Sequence, residues 1–268
     1  MDSPLLLSHF TLTQLFIATI AVSTLALEAG YRLGARRRSR PDFEKDAPIG
    51  SSVGATLGLL AFMLAVTFGI AMGQFDIRRK AFFDEVDSIS TAYRHADFLP
   101  AELSMQGKEA LKQYVATRLQ VIDTGDIQLA DTKSQQLHDR LWSYVNTARD
   151  QTSNQILLGI YINSISEMMD LHTRRILAAT QLRIPTIIWI VLYSVACLGL
   201  TEMGYQTGIS GSARSPAFLG LVLSFAAVLS LIADLDRPRE GTIFISQKAM
   251  RELHQMMSAP ERISSSSD

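Results

Sequence analysis

The sequence contains a single cysteine, Cys197, so no disulfide can form within the chain. Neither sign of charge is in excess, because 25 Lys and Arg residues stand against 26 Asp and Glu residues, and this balance points to no nucleic-acid partner. The five histidines are scattered, without an HExxH or paired-cysteine spacing that would indicate a metal site. A phosphate-binding loop, a GxSxG motif and a dinucleotide-binding glycine pattern are also lacking. We therefore expect no enzyme, no catalytic residue, no metal and no cofactor.

Apolar residues, by contrast, are abundant. Of the 268 residues 47% are hydrophobic, and the mean hydropathy of +0.15 is typical of a membrane protein with a sizeable water-exposed part. Four segments, at about residues 9–31, 52–74, 184–205 and 217–233, are apolar enough to cross a bilayer as helices. The sequence predicts a multi-pass protein of the plasma (inner) membrane.

The chain between the second and third apolar segments is polar and amphipathic, with helical spacing of its apolar residues and no run typical of a strand. One predicted helix carries Leu111, Tyr114, Val115 and Arg118 along one side. Residues 121–134 have turn composition and predict a loop. The last helix of this region has His172 on its inner face, which we interpret as a core or interface histidine, and it is predicted to run directly into the third membrane helix.

The predicted fold is an all-α membrane protein with four transmembrane helices and an extramembrane helical bundle inserted between helices 2 and 3. The predicted divisions are a transmembrane hairpin over residues 9–74, the helical domain over 75–183, a second hairpin over 184–234 and a C-terminal tail over 235–268.

The second apolar segment has two different sides at 100° per residue. A small-residue strip includes a GxxxG pair, typical of a helix that packs closely on another helix. The strip comprises Gly54, Gly58, Ala61, Ala65, Gly69 and Met72. The opposite side carries a thin polar line formed by Thr56, Met63, Thr67 and Gln74.

We expect the polar line to border a water-filled pore shared with identical copies, since four helices of one chain cannot enclose one. Phe62 and Phe68 are the candidates for an apolar constriction. The alternative is that the threonine hydroxyls bond to carbonyls of their own helix.

Charged residues close to the membrane ends are candidates for the pore mouth. Arg78 and Arg79 follow the second segment, and Asp234 and Asp236 close the fourth. Rings of such charges concentrate ions of the opposite sign. The alternative is that the arginines contact lipid headgroups and that the aspartates pair with neighbouring arginines or solvent.

The side of the membrane that holds the helical domain is indicated in two opposite ways. Basic residues mark cytoplasmic loops. The loop after the first helix holds Arg32, Arg36, Arg37, Arg38, Arg40 and Lys45. The helical-domain side holds Arg78, Arg79, Lys80, Arg174, Arg175, Arg183, Arg237 and Arg239. The total count favours a cytoplasmic domain, whereas the first loop favours the reverse.

Three stretches, residues 58–100 (GLLAFMLAVTFGIAMGQFDIRRKAFFDEVDSISTAYRHADFLP), 166–200 (SEMMDLHTRRILAATQLRIPTIIWIVLYSVACLGL) and 234–246 (DLDRPREGTIFIS), together resemble the bestrophin-like family of bacterial membrane proteins. That family is distantly similar to the bestrophin anion channels. The resemblance implies a pentamer whose second membrane helices line a central pore with an apolar neck, and whose helical regions surround a cytosolic vestibule. The arginine-rich first loop departs from that topology, and the acidic calcium-binding run of animal bestrophins has no counterpart.

Two functions follow from these observations. The first is a homo-oligomeric ion channel whose partners are the lipid bilayer, its own copies and permeating inorganic ions. Chloride, from the resemblance, and a monovalent cation, from the carboxylates, are both open. The second is a non-conducting membrane sensor or scaffold that binds a partner through its helical domain.

Overall fold

The structure is a computed structural model that describes residues 11–39, 49–124, 127–152, 154–212, 215–237 and 242–259. Over these ranges the chain is helical and contains no strand, so the predicted all-α fold is confirmed. The predicted tail residues 260–268, together with Arg40, Lys45 and Arg239, lie outside the described residues.

Eight α-helices occur in the described ranges, and a 3-10 turn, Ala96–Phe98, follows the second of them. They are α1 (Leu12–Arg38), α2 (Ile49–His95), α3 (Ala101–Thr124), α4 (Ile127–Gln151), α5 (Gln155–Gln181), α6 (Thr186–Ser210), α7 (Ala217–Asp236) and α8 (Lys248–Ser258).

Four helical stretches are long and apolar enough to cross a membrane, which confirms the four predicted spans. They lie within Leu12–Arg38, Ile49–Phe98, Gln155–Ser210 and Ala217–Asp236. The chain is therefore a multi-pass membrane protein.

The structure divides into two compact units. The membrane unit comprises Met1–Asp76 and Leu182–Phe244, and the helical unit comprises Ile77–Gln181 and Ile245–Asp268. The core of the membrane unit includes Leu60, Leu64, Trp189, Leu192, Leu229 and Ile232. The core of the helical unit includes Phe82, Ile89, Leu111, Leu141, Ile165 and, from α8, Met250 and Leu253.

Helices α1 and α6 of the membrane unit cross in close contact through glycines. A Cβ atom on Gly30 would lie 2.0 Å from the Thr201 carbonyl oxygen, and one on Gly204 would lie 2.1 Å from the Leu27 carbonyl oxygen. Gly34 and Gly208, one turn further along each helix, face the partner backbone at similar distances. Only hydrogen fits at these positions, so the crossing depends on small residues at i and i+4 of both helices.

Two details of the predicted helices are wrong. Helix α5 does not continue into the third span, because residues 182–185 are not helical. Pro185 has no backbone N–H, and its ring disfavours a helical conformation at Ile184. The predicted loop at 121–134 is instead mostly helical, since α3 extends to Thr124 and α4 begins at Ile127. Burial of Ser134 and His138 in the helical unit outweighs the weak local preferences of this segment.

Candidate functional site

Helix α2 presents an uncovered side within the membrane unit, which we call the open face of α2. The side chain of Phe62 at its centre is 66% exposed. No atom would come within 4 Å of a Cβ on Gly54 or Gly58, so this GxxxG pair contacts no other helix of the described chain. The open face consists of Gly54, Gly58, Leu59, Phe62, Val66, Gly69, Ile70 and Gly73. The close helix packing inside the chain is provided by the glycines of α1 and α6 instead.

The polar line lies on the other side of α2, towards the interior of the membrane unit. Thr67 is only 3% exposed, and its hydroxyl donates to the Met63 carbonyl at 2.7 Å. The Thr56 hydroxyl donates to Glu202 Oε2 of α6 at 2.9 Å, while Met63 and Gln74 are half-buried. Within one copy of the chain, Thr67 is therefore covered by neighbouring residues of the membrane unit, and its place at a pore stays a prediction. The alternative, in which a threonine hydroxyl bonds to a carbonyl of its own helix, is observed for Thr67 but not for Thr56.

The predicted pore-mouth charges are mostly buried. Asp234 accepts hydrogen bonds from the Thr242 backbone N–H, at 3.0 and 3.1 Å, and from the Thr242 hydroxyl. Asp236 Oδ1 accepts from the Ile184 N–H at 2.8 Å. Arg78 is also buried, whereas Arg79 is exposed. The two aspartates thus satisfy backbone groups of the membrane unit, and the pore-mouth role of the four charged residues stays a prediction.

We expect Asp234→Ala to lower the melting temperature of the protein in detergent. The substitution removes the carboxylate that accepts hydrogen bonds from the Thr242 N–H and hydroxyl, and a hydrogen bond to a charged group contributes about 1–3 kcal/mol. Asp234→Asn is the matched control and should lose less, since its amide oxygen can still accept a hydrogen bond. An unchanged melting temperature together with altered ion selectivity would contradict this structural role.

The helical unit contains a group of polar side chains in its core, which we call the buried ionic cluster. Its centre is Glu85 of α2, whose side chain has 0% exposure. The other members come from the three helices that pack around it, α3, α4 and α5. The cluster consists of Glu85, Tyr114, Arg118, Asp131, His138, His172 and Arg175.

Both oxygens of the Glu85 carboxylate are engaged. Oε1 accepts the Tyr114 hydroxyl at 2.8 Å and lies 3.3 Å from the Arg118 Nε atom. Oε2 pairs with the Arg175 Nη1 atom. The Arg175 guanidinium also lies over the Phe82 ring, 4.8 Å from its centre. Two guanidinium groups and a hydroxyl thus compensate the desolvation of one buried carboxylate.

The two histidines of the cluster lie edge to face, with ring centres 5.0 Å apart. Nδ1 of His172 lies 2.8 Å from the Tyr114 oxygen, and Nε2 lies 3.2 Å from Asp131 Oδ1. Burial, together with the charge of His172, lowers the pKa of His138 to about 4. Burial and the neighbouring Glu85 carboxylate raise the pKa of Tyr114 well above its ordinary value, so its phenol stays protonated.

Sequence patterns indicated part of this cluster. The predicted burial of His172 and the side shared by Tyr114 and Arg118 agree with their positions in the core. Glu85 and Asp131 were missed. The available signal for Glu85 was its place among Phe82, Val86 and Ile89 on one side of a helix. Among the described residues, no group of three or more His, Cys, Asp or Glu side chains could hold a metal ion.

The model of the family described as "Bestrophin-like domain" matches residues 16–250, which is most of the chain. No curated protein and no solved structure shows a significant match.

Proposed function

The chain belongs to the bestrophin-like family, and on this premise we propose that it forms an oligomeric ion channel in which the open face of α2 borders the pore. The similarity of this family to the bestrophin anion channels makes ion conduction the function with the most support. We place the protein in the plasma (inner) membrane and its helical unit in the cytoplasm. Chloride and a monovalent cation are both candidate ions.

The observation that carries this proposal is the open face itself. Four spans of one chain cannot enclose a water-filled path, so a pore requires further copies of the chain. No helix of the described chain fills the space beside the glycines of the open face, so this side of α2 is available to line such a path. The side chains between them are large and apolar, as expected for a neck that gates by excluding water.

Phe62 is the residue that we assign to the constriction. It lies at the centre of the open face, whereas Phe68 lies six residues further on and therefore about 120° round the helix. Phe68 is less exposed than Phe62, and we assign it to the contact between neighbouring copies. Met63 and Gln74 are half-buried in the polar line, on the side of α2 away from Phe62, and we assign them no direct contact with the pore.

We expect Phe62→Ala to raise ion flux several-fold, because removing a large apolar side chain makes a narrow neck easier to wet. Flux is measured on purified protein in liposomes with chloride, sodium and potassium salts. Leu25→Ala is the matched control, since Leu25 is 69% exposed on α1 and is also apolar. No flux in any salt, or equal effects of the two substitutions, would contradict the pore assignment.

A second candidate function is a non-conducting sensor or scaffold. The buried ionic cluster favours it, because interior charges are costly to desolvate and often mark functional positions. The size of the purified protein by light scattering in detergent separates the two. A ring of four or more copies favours the channel, whereas a monomer or dimer favours the sensor.

A further inference from the structure

The hydrogen bonds of His172 determine where its protons lie. Glu85 faces two guanidinium groups and is ionised, so its carboxylate can only accept. The single hydroxyl proton of Tyr114 is therefore donated to Glu85 Oε1, at 2.8 Å. The Tyr114 oxygen is left as an acceptor, and His172 Nδ1, at 2.8 Å, must be the donor.

The same reasoning applies to the other ring nitrogen. Nε2 of His172 lies 3.2 Å from Asp131 Oδ1, and a carboxylate oxygen has no proton to give. Nε2 must then also carry a proton. A histidine with protons on both nitrogens is an imidazolium cation, placed here between the carboxylates of Asp131 and Glu85, whose Oε1 lies 3.5 Å from Nδ1.

We propose that the His172 proton is a latch: when bound, it ties α4 to α2, α3 and α5 through Asp131, Glu85 and Tyr114, and when lost, it releases the start of α4. The inference concerns only the helical unit, so it holds or fails independently of ion conduction. It assigns to this unit a response to pH.

The groups around His172 come from every helix of the cluster. Glu85 faces it from α2, Tyr114 and Arg118 from α3, Asp131 and His138 from α4, and Arg175 from its own helix. Arg118 and Arg175 oppose the imidazolium charge, but both are directed at the Glu85 carboxylate. Oxygen atoms are the polar partners of the two ring nitrogens.

Exposure decides which bond is given up when the proton leaves. A neutral ring retains one N–H, and the side that loses its proton presents a lone pair to an acceptor. The Nδ1 side is fully buried, so water cannot replace a lost bond there. The Asp131 side chain is 42% exposed, so water can take over on that side. Deprotonation should therefore break the link to α4.

The test is hydrogen exchange of the full-length protein in detergent, read by mass spectrometry at about pH 5.5 and at about pH 8.5. Labelling times are scaled for the intrinsic pH dependence of exchange. We expect the protection of residues 127–138 to fall about tenfold at the higher pH, the effect of one lost charge-assisted hydrogen bond.

The variants separate the latch from a purely structural contact. Asp131→Ala should show the low protection at both pH values, and His172→Gln should abolish the pH step. His254→Gln, on α8, is the matched control and should retain the step. If His172→Gln fails to fold, as judged by its circular dichroism, Asp131→Ala decides alone, since it alters the partly exposed end of the cluster.

His138 provides an internal check of the sign. Its pKa in the folded protein, about 4, is below the ordinary value of 6.5. The unfolded chain therefore takes up this proton first, and the stability that neutral His138 contributes is lost as pH falls from about 6.5 towards 4. That effect weakens the unit at low pH, opposite to the latch. Protection of residues 127–138 that is unchanged or higher at pH 8.5, or a step that persists in His172→Gln, would overturn the proposal.

Discussion

Glu85→Ala is expected to destabilise the helical unit by about 3–5 kcal/mol, the usual effect of removing one partner from a buried ion pair. Without the carboxylate, the buried Arg118 loses its counter-charge, and Arg175 loses its ion-pair partner in the cluster. The Tyr114 hydroxyl also loses the acceptor of its proton. A loss of this size is a large part of the whole stability of an ordinary domain, about 5–15 kcal/mol.

The measurement is unfolding of the full-length protein in detergent, combined with limited proteolysis to identify the unit that opens first. The matched control is Glu109→Ala, which removes a carboxylate that is 58% exposed and lies 3.9 Å from Lys112. Exposed pairs of this kind contribute about 0–1 kcal/mol. Similar decreases in the free energy of unfolding for the two variants would show that the cluster does not hold the helical unit together.

Gly204→Ala should disrupt the membrane unit to a comparable extent. The added methyl group would lie 2.1 Å from the Leu27 carbonyl oxygen and 2.9 Å from the Tyr31 nitrogen. Both atoms belong to the backbone of α1, so no side-chain rotation can relieve the overlap and the two helices must move apart. Overpacking of a well-packed interior costs about 1–3 kcal/mol, and a displacement of backbone should reach the upper end of that range or exceed it.

The effect is measured as the melting temperature in size-exclusion chromatography of heated samples. Gly220→Ala on α7 is the matched control, because nothing lies within 4 Å of a Cβ at that position. It introduces the same methyl group into a membrane helix at a site with open space. If the Gly204→Ala protein has the same melting temperature as the wild type, the close crossing of α1 and α6 is ruled out.

Hydropathy and periodicity were sufficient for the architecture because both are local properties of the sequence. A run of about 20 apolar residues indicates a membrane span, and this does not depend on the helices against which the span packs. The spacing of Leu111, Tyr114, Val115 and Arg118 places them on one side of a helix in the same way. The family match over residues 16–250 agrees with the resemblance found in the sequence.

The orientation of each helix about its own axis depends on partners that are distant in the chain. The sequence separates α2 into a small-residue side and a polar side, but either side could be the one that is buried against other helices of the chain. Contact with α6, where a Cβ on Gly199 would lie 3.0 Å from Leu57 Cδ2, turns the polar side inward. Gly54 and Gly58 are consequently left on the open face, and this is the reason for proposing Phe62, which lies between them and Val66 on that face, as the constriction.

By itself, the sequence determined that this protein is helical, crosses the membrane four times and carries a polar helical region between its second and third spans, since these features depend on the composition of short segments. Only the tertiary structure decided that Glu85, Tyr114, Asp131 and His172 meet in one cluster. Their meeting requires four helices to pack together, and the hydrogen bonds that define the charge of His172 exist only between side chains as far apart in the chain as residues 85 and 172.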